Sequence, residues 1–253
     1  MDFFRQPSTI LVLAAAALVG VLGATQFRTR VRTSDPPVQG FYAKYLDCCG
    51  IPVRSSAAVE DRALERACGK IDLMLSHLAD VRTRLVQQGA ELHIIGRNEQ
   101  TSDLPEFRAE RGKRYVDNTG RSVTIDERTR GKGGLRSSCG EENILNLPSD
   151  RYRGGSDICI HEFSHGIMNF GLTEAQRQRI REQYARSLAS GLWLGSYAAT
   201  TPQEYWAELS MWYFGAHGDR RMKGAPPADG TEGLRQYDPA GYAVLDALYR
   251  GRQ

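Results

Sequence analysis

Two histidines four residues apart, with a glutamate beside the first, constrain this chain more than any other feature: His161-Glu162-Phe163-Ser164-His165. On a helix, residues four apart stand one turn above each other on one face, so both imidazoles can reach a single divalent metal ion. Glu162 then lies one step round the helix, where its carboxylate can take a proton from a water acidified by that metal. Ile158, Ile160, Phe163, Ile167 and Met168 flank the motif. Such apolar surroundings belong to a buried helix rather than to a solvated histidine pair. The pattern predicts a helix over Asp157–Phe170, with Gly171 as its C-cap glycine.

A catalytic tetrahedral site needs a third protein ligand and one open position. The other histidines, His77, His93 and His217, have no motif around them, and His93 and His77 read as structural residues of a strand and a helix. The segment Gln203-Glu204-Tyr205-Trp206-Ala207-Glu208 is the stronger candidate, because its two carboxylates are again four apart on one helical face. One of them can bind metal while the other hydrogen-bonds the free ring nitrogen of a metal-binding histidine. Tyr205, Trp206, Leu209, Trp212 and Tyr213 make the predicted helix, Gln203–Gly215 after Pro202, largely buried. Buried carboxylates need partners, and a metal with its histidine provides them.

HEFSH followed 39 positions after His165 by EYWAE (204 − 165 = 39) resembles the gluzincin metallopeptidases, and most of all the branch that contains the catalytic domain of anthrax lethal factor and its secreted relatives. The resemblance implies Zn²⁺ held by His161, His165 and Glu204, with Glu162 as general base and Glu208 orienting a histidine. It also implies an oxyanion-stabilising role for Tyr197, seven residues before Glu204. The implied fold is a zincin-like α+β domain, mostly helical with a small mixed sheet, acting on a peptide or protein substrate. Gly50-Ile51-Pro52-Val53, Ser138–Asn143 and Tyr237-Asp238-Pro239 extend the likeness from about Phe41 to Tyr249.

Elsewhere, Val59–Gln88 reads as two helical stretches stopped by Gly89, and Leu92–Ile95 as a short strand. That strand could be an edge pairing with an extended peptide or an inner strand of the sheet. Asn98–Ser138 is polar and reads as long loops, with a hairpin around Asn118-Thr119-Gly120. Gly131-Lys132-Gly133-Gly134 lacks the Ser or Thr of a phosphate loop and reads as a flexible surface loop, with Arg130–Gly134 a candidate lid. Thr173 and Gln176 form a capping box for a helix to about Ser190, and a last helix covers Ala240–Tyr249.

With 33 basic against 30 acidic residues and no basic stripe interleaved with aromatics, nothing points to nucleic acid. Residues 1–27 contain the apolar run Thr9–Ala24, which reads as a signal peptide or membrane anchor. Arg28, Arg30 and Arg32 after it pull the other way under the positive-inside rule. Residues 28–40, with Pro36 and Pro37, read as a linker, and 41–253 as the metallopeptidase domain. Five cysteines suit an exported protein with one or two disulfides and a thiol left over, in which the vicinal Cys48 and Cys49 do not bond each other. The alternative is an exported zinc-binding effector or interaction protein without general peptidase activity.

Overall fold

The computed structural model describes residues 30–117, 120–152 and 154–252. The signal or anchor segment at 1–27 lies outside the described residues, as do Asn118 and Thr119 of the expected hairpin turn. Among the described residues no helix is long and apolar enough to cross a membrane.

The described residues open with three antiparallel strands, β1 (Arg32–Val38), β2 (Tyr42–Cys48) and β3 (Ile51–Ser55). Helices α1 (Asp61–Met74) and α2 (Ala79–Gln87) follow, and then β4 (Glu91–Ile95). In α1 the residues Ala63, Leu64, Ala67, Cys68, Ile71 and Met74 are buried, the three- and four-residue rhythm of a helix lying on a sheet. Gly89 takes a φ of +75° directly after α2, a turn that costs glycine nothing. A small hairpin, β5 (Arg114–Val116) with β6 (Ser122–Thr124), precedes a single helical turn, α3 (Ile125–Arg128), and the strands β7 (Gly131–Lys132) and β8 (Arg136–Gly140). The main sheet runs β1-β2-β3-β4-β8-β7, with β3, β4 and β8 parallel and β7 antiparallel at the edge.

Helices make up the rest: α4 (Glu141–Ile144), α5 (Ile158–Gly166) running into a π-helical turn at Ile167–Gly171, α6 (Glu174–Ala189), α7 (Pro202–Tyr213), α8 (Gly230–Tyr237) and α9 (Pro239–Tyr249). The fold is therefore α+β with a small mixed sheet, as expected. Trp193, Trp206, Trp212 and Tyr205 are fully buried in this helical half. Asp238, buried ahead of α9, accepts hydrogen bonds from Trp193 Nε1 (2.8 Å), the Tyr205 hydroxyl (2.8 Å) and Ser187 Oγ (2.7 Å). Three donors satisfy a carboxylate that would otherwise be costly to bury, and they lock α6, α7 and α9 together.

Disulfides join Cys48 to Cys68, which ties β2 to α1, and Cys139 to Cys159, which ties β8 to α5. Cys49 remains a free, exposed thiol.

The structure departs from the sequence reading at three places, and at Leu92–Ile95 it decides between two readings. The expected linker forms β1 over 32–38, and its prolines are tolerated because β1 is an edge strand. The sheet thus begins upstream of residue 41. Gly131–Lys132 is an edge strand rather than a flexible loop. Of the two alternatives for Leu92–Ile95 the inner strand is found, since it lies between β3 and β8. Its residues are buried throughout, as befits a strand covered on both faces. Gly171 is not left-handed; a Cβ there would stand 2.5 Å from Val81 Cγ1, so the glycine lets α2 approach.

Candidate metal centre

The site lies where α5 and α7 face each other beside the β7 edge. Asp157 caps α5 by accepting from Ile160 N (3.1 Å) and pairs with Lys70, while the Cys139–Cys159 bond fixes the helix to β8. Thr201 caps α7 by accepting from Glu204 N (3.1 Å), and Pro202 holds the first helical position. Glu204 is thereby set in the first turn and Glu208 one turn on. The Trp206 indole N–H donates to Ser164 O (2.9 Å), which fixes α7 against α5.

Three atoms converge at the centre. His161 Nε2 and His165 Nε2 are 3.2 Å apart, and Glu204 Oε2 stands 3.2 Å from the first and 3.4 Å from the second. Glu204 Oε2 is buried yet hydrogen-bonds to nothing. Ligand atoms bonded at about 2.0–2.1 Å to a tetrahedral ion stand about 3.3–3.4 Å from one another. This triangle has that size, and two imidazoles with one carboxylate are a donor set that zinc accepts. The residues fit a divalent metal.

Without an ion the charges lean on each other. Burial alone would lower the His161 pKa, but Glu204 and Glu208 overcome it and raise it well above the ordinary imidazole value. Burial alone would raise that of Glu204, but the two histidine rings hold it far below the usual carboxylate range.

Glu208 faces the other side of His161. Its Oε1 is 3.2 Å from His161 Nδ1, within ion-pair distance although out of hydrogen-bond alignment, and its Oε2 accepts from the backbone N–H of Asp219. Gly218 makes this possible, since a Cβ there would collide with both Glu208 Oε2 and Trp212.

Glu162 sits beside the triangle under β7, where a Cβ on Gly131 would meet its Cγ at 2.9 Å. Burial raises the Glu162 pKa, and Glu204 adds to this, against His161, His165 and Lys132. Tyr197 lies in a 3₁₀ turn, Tyr197–Ala199, and its ring stacks on His161 at 6.3 Å and 22°. Its hydroxyl donates to Glu204 Oε1 (3.2 Å) and accepts from Arg128 Nη2 (3.3 Å). Burial first and the Glu204 charge second push its pKa up to about 12, with Arg128 opposing.

All six residues singled out from the sequence, His161, Glu162, His165, Tyr197, Glu204 and Glu208, stand together here. His93 lies on β4 within hydrogen-bonding reach of Tyr42, Glu91 and Glu106, and His217 faces the carbonyls of Gly154 and Gly218; neither is among the triangle's atoms. Sequence reasoning missed Arg128 and Asp219, which carry no local motif, and the glycines of the β7 edge.

No family model matches the chain, and no curated protein matches it. Among solved structures it is similar to the Pro-Pro endopeptidase from Paenibacillus alvei, with a TM-score of 0.54 and 15% sequence identity over 75% of this chain and 92% of that one. The likeness shows a fold shared with a peptidase.

Proposed function

We propose that this protein is a zinc-dependent metallopeptidase of the gluzincin kind, acting on peptides or proteins. The observation that carries the reading is the triangle of His161 Nε2, His165 Nε2 and Glu204 Oε2 with its orphaned oxygen. Zinc bound by these residues supplies a Lewis acid that acidifies water and polarises a carbonyl. Glu162 accepts the proton of the attacking water and returns it to the leaving amine, a task suited to a carboxylate whose pKa lies above the ordinary value. The Tyr197 hydroxyl donates a hydrogen bond to the oxygen on which negative charge develops. Glu208, tied to the Asp219 N–H, holds His161 in its orientation. The peptide-pairing role considered for Leu92–Ile95 passes to the β7 edge, which runs beside Glu162 and His165.

Two disulfides support a location outside the reducing cytoplasm. A purely structural zinc site would be closed by four protein ligands, whereas the described residues supply three at this centre.

The test is metal content and turnover of the purified protein. One zinc per chain, lost in Glu204→Gln and mostly kept in Glu208→Gln, is expected. Hydrolysis of a peptide library should vanish in Glu162→Gln while zinc stays. Turnover surviving in Glu162→Gln would sink the mechanism, and zinc binding without turnover would leave a binding protein.

A further inference from the structure

Arg128 ends the single helical turn α3, and its guanidinium is half-buried beside the metal centre. It spends one N–H on the Tyr197 hydroxyl (3.3 Å) and lies 5.9 Å from the centroid of that ring. The phenols Tyr115 and Tyr152 and the like-charged Arg221 also act on it electrostatically. Among the described residues no carboxylate lies within ion-pair distance of it, and no carbonyl accepts from it. Arg130, two residues on, shows the contrast: it is buried with its fork closed on both Glu142 oxygens (2.7 and 2.8 Å), and it also donates to Gly96 O and Glu99 O. Likewise Arg54 is matched by Glu91 and Arg97 by Glu141.

A half-buried guanidinium without a counter-charge is expensive, and its five planar donors suit a carboxylate approached edge-on. The acids that bond Tyr197 and the one that precedes Arg128 in the chain are already engaged. Asp219 pairs with Arg221 and accepts from the Tyr197 N–H, Glu127 pairs with Arg114, and Glu204 faces the histidines.

Resting on the peptidase reading, we propose that Arg128 is the receptor for a carboxylate of the bound peptide, either an acidic side chain at one fixed position from the reacting bond or the free C-terminus. The guanidinium reaches the Tyr197 hydroxyl, and that hydroxyl reaches Glu204, so the carboxylate is read close to where the peptide carbonyl is activated. One contact then sets both selectivity and register. Peptides lacking a carboxylate there leave the half-buried guanidinium unpaired, and they are rejected for that reason.

Fluorescence-polarisation binding to zinc-loaded full chain carrying Glu162→Gln separates this from a purely structural role. The probes are pools of otherwise uncharged octapeptides with Asp or Asn fixed at each position in turn, each made with a free or an amidated C-terminus. A preference of about tenfold or more is expected for Asp over Asn at one position, or for free over amidated termini; the first arm identifies a side chain and the second a C-terminus. Adding Arg128→Gln should bring the ratio to about one, while Arg128→Lys keeps part of it, with melting temperature and zinc content unchanged in both. An Arg128 that only positions Tyr197 would slow cleavage of acidic and neutral pools alike and leave the binding ratio intact. Absence of binding, absence of a carboxylate preference, or a preference that survives Arg128→Gln each overturns the proposal. Cleavage of the same pools by the unsubstituted chain reports separately on the peptidase reading: pools bound through a carboxylate but never cleaved sink that reading and spare Arg128. Equal binding and cleavage of Asp and Asn pools does the reverse.

Discussion

Replacing Gly133 by alanine should unseat His165. A β-carbon at this position would stand 2.6 Å from His165 Cβ and Cδ2 and 2.8 Å from Cγ. Carbon atoms in good contact sit about 3.5–4.0 Å apart, so the ring or the strand must move by about 1 Å. Overpacking of this kind costs about 1–3 kcal/mol in stability. Disturbing the orientation of a metal-binding histidine costs about 10–100-fold in metal affinity. Zinc affinity measured by competition with a chromophoric chelator, next to thermal unfolding of the metal-free protein, reads the two effects separately. Gly69→Ala is the control: it sits exposed within α1 with nothing within 4 Å of the new Cβ. That change should stabilise the fold by about 0.5–1 kcal/mol and leave zinc alone. If Gly133→Ala binds zinc as tightly as the unsubstituted chain, the β7 edge yields instead of the ring. The argument that this glycine shapes the metal site then fails.

Two further outcomes concern stability. His93 is buried between Glu91 (2.8 Å) and Glu106 (2.5 Å); burial opposes its protonation, yet both carboxylates raise its pKa above the ordinary value. The stability it contributes is complete below the unfolded imidazole value near 6.5 and is lost as pH rises through the higher folded value. Glu91 is held down to about 2, against the pull of burial, by His93 and Arg54, so its contribution is present above about 4.5 and lost as pH falls towards about 2. The melting difference between wild type and His93→Gln should therefore be largest near pH 5–6 and shrink on either side; a flat difference refutes the linkage. Replacing Cys139 and Cys159 by serine opens a loop whose ends are 20 residues apart and should cost about 3 kcal/mol, with zinc affinity falling as α5 loses its tether. Unchanged zinc affinity in that variant would show that packing alone holds the metal helix.

Most of the centre was legible because its parts are local. His161 with His165 and Glu204 with Glu208 are each one turn apart, and Pro202 marks the start of the second helix on the page. The long helices were legible for the same reason: the Thr173 and Gln176 capping box stands in the structure as read. What escaped is non-local. Arg128 meets Tyr197 across 69 residues, and no spacing encodes that. The two-residue strand β7 is too short to show alternation, and Gly131 within it and Gly133 after it resemble a loop until Glu162 and His165 are seen against them. The inner place of Leu92–Ile95 was one of two readings, and Leu92, Ile94 and Ile95 favour it because they leave little to face solvent.

The candidate metal centre joins two bodies that are anchored differently. The helix bearing His161 and His165 is bonded covalently to the sheet through Cys159, whereas the helix bearing Glu204, together with the Tyr197 turn, is held by packing and by hydrogen bonds such as that from Trp206 to Ser164. Any breathing of the centre is therefore a departure of the carboxylate side from the imidazole side. A metal ion held here, as proposed, would leave by an ordered route, losing its oxygen ligand before its two nitrogens, and its residence time would report how firmly α7 stays seated.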